Sequence, residues 1–261
     1  MSERPDIASA PEGPAPARPA ETAAAPGLYA GGRRLLAPRR HTVMLIAITL
    51  AIAAIGAQGS GKVSPDPNRS HLAQYVVLIA LEWALFAYVR FGLRRGGTPL
   101  AQVIGPRWAA LRDVWKVLLA TAVFWVVKEV ILGLVQHGLT LAGYSRAAEQ
   151  HRTMALMAPH GVVESVIWVL LSCSAGFVEE VVYRGYLQRQ LGLWSGSAAL
   201  GIAASAIVFG IAHGYQGPLS VVIITCYGAL FGILAHVTRT LRPGILQHAL
   251  EDSIGGLLGA R

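Results

Sequence analysis

Charge is scarce in this chain. Of 261 residues only 14% are Asp, Glu, Lys or Arg, where a soluble domain carries about 25%. That shortfall excludes an ordinary water-soluble globule, and a hydrophobic content of 54% points to a membrane protein. Cysteine is nearly absent. Cys173 and Cys226 both lie within apolar segments, which reads as packing and excludes a disulfide framework. No repeat with a period of 20–50 residues is visible, which argues against a solenoid. An ordinary secretory leader is also missing: the first apolar run starts only after Arg39-Arg40-His41, so it is expected to be a retained anchor. The net charge of +8 does not indicate nucleic acid as a partner, because the arginines cluster beside apolar runs and not on a soluble domain.

What is present is a series of apolar segments. Residues 1–41 are rich in Ala, Pro and Glu without apolar period and read as a disordered cytoplasmic tail. Seven segments follow: Thr42 to Ala57, Leu72 to Leu93, Val114 to Leu139, Val162 to Leu191, Ser197 to His213, Leu219 to Val237, and Pro243 to Leu258. A span needs about 20 residues. The expected fold is therefore all-α, a polytopic transmembrane helix bundle of about seven spans. Residues 42–140 supply the N-terminal membrane helices and 160–259 the core that carries the chemistry. Arginines alternate along the chain, with Arg33, Arg34, Arg39 and Arg40 before the first segment, Arg90, Arg94, Arg95, Arg107 and Arg112 after the second, Arg189 after the fourth, and Arg239 and Arg242 after the sixth. By the positive-inside rule this predicts a multi-pass protein of the cell membrane, the inner membrane in a bacterium, with a cytoplasmic N-terminus.

Charges inside apolar segments are the informative residues. Glu179, Glu180 and Arg184 fall in Phe177-Val-Glu-Glu-Val-Val-Tyr-Arg184, within the fourth segment. Each costs about 2.5–3.5 kcal/mol to place at membrane depth, so three together need a reason. On a helix Glu180 and Arg184 are one turn apart and can pair, while Glu179 points about 100° away. His213 ends the fifth segment, and His248 and Asp252 share a helix face in the seventh. Lys128 and Glu129 are adjacent in the third segment and read as packing partners of other spans. Glu82 in the second carries no site assignment.

Converged in one pocket, these groups suit hydrolysis. A carboxylate kept away from bulk water can take a proton from a water molecule near neutral pH. His213 could orient that water, and His248 could donate to an oxyanion. A Glu with two His is also a ligand set for catalytic zinc, so possible cofactors are none or zinc. No His-Glu-x-x-His is present, and the sequence leaves metal-free and metal-dependent water activation both open.

Taken in order, Glu179-Glu180-x-x-x-Arg184, Phe209-x-x-x-His213 and His248-x-x-x-Asp252 resemble the three motifs of the CPBP intramembrane proteases, the family of type II CAAX prenyl endopeptidases and the bacterial Abi and bacteriocin-processing proteins. The resemblance covers roughly residues 160–259. It implies that Glu179 activates water, that Glu180 and Arg184 support it, that His213 holds the water, and that His248 with residue 252 binds the oxyanion. The family often has Asn where this chain has Asp252. An ionised Asp cannot donate to an oxyanion, so either Asp252 is protonated or it orients the His248 ring. The implied partners are the lipid bilayer and a membrane-presented protein or peptide substrate. Two rivals are a non-catalytic immunity or partner protein and a proton-coupled transporter, since intramembrane Glu, His and Asp also relay protons.

Overall fold

The structure, a computed structural model, describes residues 35–60 and 69–259. The regular structure among them is all helical. α1 is Arg39–Ser60, α2 Leu72–Arg95, α3 Leu100–Ile104, α4 Leu111–Leu141, α5 Ala147–Met157 and α6 Gly161–Glu179. A π-helical segment, Glu180–Leu187, follows without a break and leads into α7, Gln188–Ser195. α8 is Ala198–Ala212, a short 3-10 turn covers Gly214–Gln216, α9 is Pro218–Thr238 and α10 is Arg242–Gly259. Each of the seven apolar segments is a helix. The short helices α3 and α5, and the π segment, have no apolar period of their own and were not anticipated.

The expected count of seven crossings is not confirmed. Five helices are long and apolar enough to cross a membrane: Arg39–Gly59, Leu72–Arg95, Leu111–Leu141, Gly161–Ser195 and Pro218–Thr238. α8 has 15 residues, short of a full crossing. α10 has 18 but carries Gln247, His248, Glu251 and Asp252. The rod from Gly161 to Ser195 is 35 residues. At about 1.5 Å per residue it outruns a hydrocarbon layer of about 30 Å, so one end stands clear of it. The outer faces of these helices expose Val76, Val77, Leu119, Val126, Val130, Val162 and Val163. Apolar surface on that scale needs lipid to cover it. The protein is an integral membrane protein.

The tail assignment is corrected at its end. Residues 1–34 lie outside the described residues, but 35–38 pack onto the bundle, with Ala37 buried. Gln190 holds them: its Oε1 accepts from Leu36 N at 2.7 Å and Ala37 N at 3.3 Å, and its Nε2 donates to the Ala37 carbonyl at 2.7 Å. One amide thus satisfies a short run of backbone that would otherwise be buried without partners.

The core sits where α6 and its π extension meet α2, α8, α9 and α10. Close helix approach in lipid depends on small residues. Gly176 is the tightest case on α6, because a Cβ there would lie 2.8 Å from the Ala249 nitrogen and 3.0 Å from the Ile245 carbonyl of α10. Trp168 closes the same interface about two turns earlier on α6, its Nε1 donating to the Asp252 carbonyl at 2.9 Å. Gly176→Val should therefore force α6 and α10 apart and cost about 1–3 kcal/mol of stability. Gly133→Val on α4, where nothing lies within 4 Å, should not lower it. Thermal unfolding of both variants in detergent checks the contrast.

Candidate active site

The π segment carries the first charges. Its wider turn lets the Tyr183 carbonyl accept from the Gln188 N–H, five residues on, and also from Ser205 Oγ at 2.8 Å. Gln188 Nε2 donates to the Gly232 carbonyl at 3.0 Å. π turns inside α-helices occur frequently at functional sites because they re-aim side chains. Here every residue from Glu180 to Leu187 is buried.

Arg184 is 2% exposed and Glu180 1%. Arg184 Nη1 lies 2.9 Å from Glu180 Oε1, the one-turn pairing the spacing predicts. The guanidinium sits over the Phe209 ring at 4.1 Å and the Phe231 ring at 5.3 Å, so its cation is held by two π faces as well as by the carboxylate. Glu180 Oε1 also lies 3.3 Å from His248 Nδ1. Its other oxygen, Oε2, is buried with no hydrogen-bond partner. Gly244 makes room for it, since a Cβ at that position would sit 2.9 Å from Oε2.

The opposite side of the His248 ring faces two more carboxylates. Nε2 lies 3.5 Å from Asp252 Oδ2 and 3.7 Å from Glu179 Oε2. Glu179 Oε2 is buried and makes no hydrogen bond. One imidazole on α10 therefore bridges the adjacent glutamates of the α6 rod, as their angular offset requires. Asp252 stands against the ring nitrogen, in the position of a group that orients His248.

His213 is less tightly joined. Its Nδ1 contacts the Phe209 carbonyl at 2.9 Å, within its own helix end, and its ring packs on Phe209 at 4.6 Å. Phe209 in turn presents its ring edgewise to His248 at 6.3 Å. One aromatic ring thus separates the two histidines, although His213 and Asp252 interact electrostatically. Beyond His213, burial pushes the Tyr215 phenol above its usual range, and Glu179, Asp252 and Glu82 act on it in the same direction. All three carboxyls are thus near enough to act on the Tyr215 phenol.

Residues 161–254 match the family model described as type II CAAX prenyl endopeptidase Rce1-like. The match supports CPBP-family membership for this segment. No curated protein and no solved structure matches the chain. All six residues named from the sequence, Glu179, Glu180, Arg184, His213, His248 and Asp252, fall inside the CPBP segment. The family is one of proteases, so the match supports a hydrolase.

The zinc alternative finds little in the arrangement of donors. Among the described residues no group of three or more His, Cys, Asp and Glu side chains is disposed to hold one ion. Glu180 is committed to Arg184 and His248, and His213 turns its Nδ1 to the Phe209 carbonyl.

Lys128 is fully buried and, as expected of a partner of another span, its Nζ bonds Glu251 Oε2 of α10 at 2.6 Å; it also bonds its neighbour Glu129 Oε1 at 2.6 Å, which the sequence did not indicate. A long side chain can curl back to its neighbour even though the two Cβ vectors diverge. Glu251 also accepts from Gln247 Nε2 at 3.2 Å and Tyr227 Oη at 3.4 Å. The i,i+4 spacing of Gln247 and Glu251, one position before His248 and Asp252, was a usable signal for this second polar face.

Leaving one member of a buried ion pair alone costs about 3–5 kcal/mol, whereas removing both costs far less. Arg184→Met should accordingly unfold the protein at markedly lower temperature in detergent. Arg184→Met combined with Glu180→Gln should recover much of that loss. Arg184→Lys should recover little, because an ammonium cannot span Glu180 and two aromatic faces.

Proposed function

We propose that this protein is an intramembrane endopeptidase that hydrolyses a peptide bond in a membrane-presented protein or peptide, with Glu179 activating water. The observation that carries the proposal is the different pairing of adjacent glutamates. Glu180 commits Oε1 to Arg184 and His248 and has Oε2 closed in beside Gly244. Glu179 is paired with no arginine or lysine among the described residues, and its buried, unbonded Oε2 lies 3.7 Å from His248 Nε2.

A water between Glu179 and the substrate carbonyl gives a proton to Glu179 as its oxygen adds to the carbonyl carbon. The carbonyl oxygen becomes an oxyanion. His248, protonated on both nitrogens, gives Nδ1–H to Glu180 and offers Nε2–H to that oxyanion. The C–N bond then breaks as the nitrogen gains a proton, leaving a carboxylic acid and an amine. Glu180 and Arg184 fix the imidazole, and Asp252 holds its Nε2 side. His213, behind Phe209, acts on Asp252 electrostatically. The Rce1-like match supports C-terminal, prenylated segments as one substrate class, and leader peptides as another within the resemblance.

We also propose the orientation. Arg189 Nη1 donates to the Gln102 carbonyl at 2.9 Å and Arg242 Nη1 to the Pro106 carbonyl at 2.6 Å, while Gln190 clasps the chain before Arg39. These contacts gather the arginine-rich stretches at one end of the bundle, and that end faces the cytoplasm of the cell.

Glu179→Gln should abolish proteolysis, a loss of at least about 100-fold for a general base, without loss of folded protein. Comparing membrane peptide profiles of cells carrying wild type and this variant would identify the fragment that disappears. Identical profiles, or a biological activity untouched by the substitution, would overturn the endopeptidase reading. Asp252→Asn should retain cleavage, because the amide can still hold the His248 ring and adds a donor to the oxyanion.

A further inference from the structure

Glu82 has no part in the chemistry above and lies on α2, outside the CPBP segment. A carboxyl within a membrane-crossing helix marks function by default. Glu82 is half-buried, and its Oε2 accepts from Ser174 Oγ of α6 at 2.7 Å. Among the described residues its Oε1 makes no hydrogen bond. Trp83 and Phe86 seat this face of α2 against Phe177, at ring separations of 6.2 and 5.6 Å, on the stretch of α6 that leads into Glu179. Ser174 and Phe177 lie five and two residues before Glu179 on the same rod, so these contacts bring Glu82 alongside the site, near enough to act electrostatically on Glu179, Asp252 and His248. α2 and α10 both pack on the α6 rod. Glu179 is on the rod and the oxyanion donor His248 on α10, and Glu82 is the carboxyl that α2 brings against the rod beside them.

We propose that Glu82 is the general acid that protonates the departing amine nitrogen. The inference rests on the endopeptidase reading. In a tetrahedral intermediate the oxyanion and the leaving nitrogen occupy different corners. An oxyanion drawn to His248 leaves the nitrogen to be served from another wall. Glu82 gives its proton to the nitrogen as the C–N bond breaks, while Glu179 retains the proton taken from water. That proton then passes from Glu179 to Glu82 through the incoming water, and both groups return to their starting states. Ser174 holds the Glu82 carboxyl in place.

The test uses full-length enzyme, a peptide cleaved in membranes that carry the enzyme and not in membranes that lack it, and the matching depsipeptide, in which oxygen replaces the scissile N–H. An alkoxide leaves with far less need of a proton than an amide nitrogen. Glu82→Gln should lower kcat on the amide by about 100-fold, within the usual range for proton transfer, and on the ester by less than about 5-fold. Glu82→Asp should regain part of the amide rate. Ser174→Ala, which leaves the carboxyl intact but unanchored, should show a smaller loss with the same amide bias. Equal losses on both substrates, or an amide rate unaffected by Glu82→Gln, would overturn the assignment of Glu82 while leaving the endopeptidase reading standing. Glu179→Gln should lose both substrates together; if it spares both, the endopeptidase reading itself falls.

Discussion

The Glu180–Arg184 pair is the interaction from which the rest of the site takes its geometry. Two full charges one turn apart, both nearly sealed from solvent, are tolerated in a membrane helix only if their partners are fixed. The protein meets this with a carboxylate oxygen, two aromatic faces and an imidazole around one guanidinium–carboxylate unit. Each of those partners comes from a different helix: Phe209 from α8, Phe231 from α9 and His248 from α10. Satisfying the pair therefore assembles the pocket. Once Glu180 is spoken for, its neighbour Glu179 is left with unspent hydrogen-bonding capacity beside His248.

The π segment makes this compatible with a continuous rod. An ordinary α-helix through Glu180–Leu187 would rotate the following residues relative to the preceding ones and present a different set to α8 and α9. The wider turn frees the Tyr183 carbonyl for Ser205 and leaves Gln188 bonded to Gly232. At the far end of the segment Gly185 lets Val103 of α3 and Leu241 press against the rod. Backbone irregularity is thus confined to a place where protein groups, and not lipid, satisfy it.

Most of the fold was legible because lipid solubility leaves a direct mark: long apolar runs became helices at nearly their expected limits. The charged residues were equally legible, since a Glu or His at membrane depth is too costly to be incidental. Glu180 with Arg184 and His248 with Asp252 followed from helical spacing alone. What spacing could not give is which turns would be π, how many helices make full crossings, and which partners long side chains choose. Lys128 illustrates the last point, reaching across to Glu251 on a helix more than a hundred residues away. Glu164 is another case: its contacts with Ser70 and His71 depend on α2 and α6 running side by side in parallel. His213 was expected against the other site groups and instead packs behind Phe209, because its ring nitrogen is taken by its own helix end.

The chemistry is not housed only in the CPBP segment. α10 carries two polar faces offset by one residue: His248 with Asp252 toward α6, and Gln247 with Glu251 toward α4 and α9. A helix rotated about its axis to improve one face would spoil the other. Lys128 on α4 fixes the second face, and Tyr227, which bonds Glu251, also packs its ring on His248 at 5.9 Å. The rotation that aims His248 at Glu179 is therefore set in part from α4, while α2 braces the α6 rod through Phe86 and Phe177. The N-terminal helices thus help to position groups that the three motifs place on the α6 rod, α8 and α10.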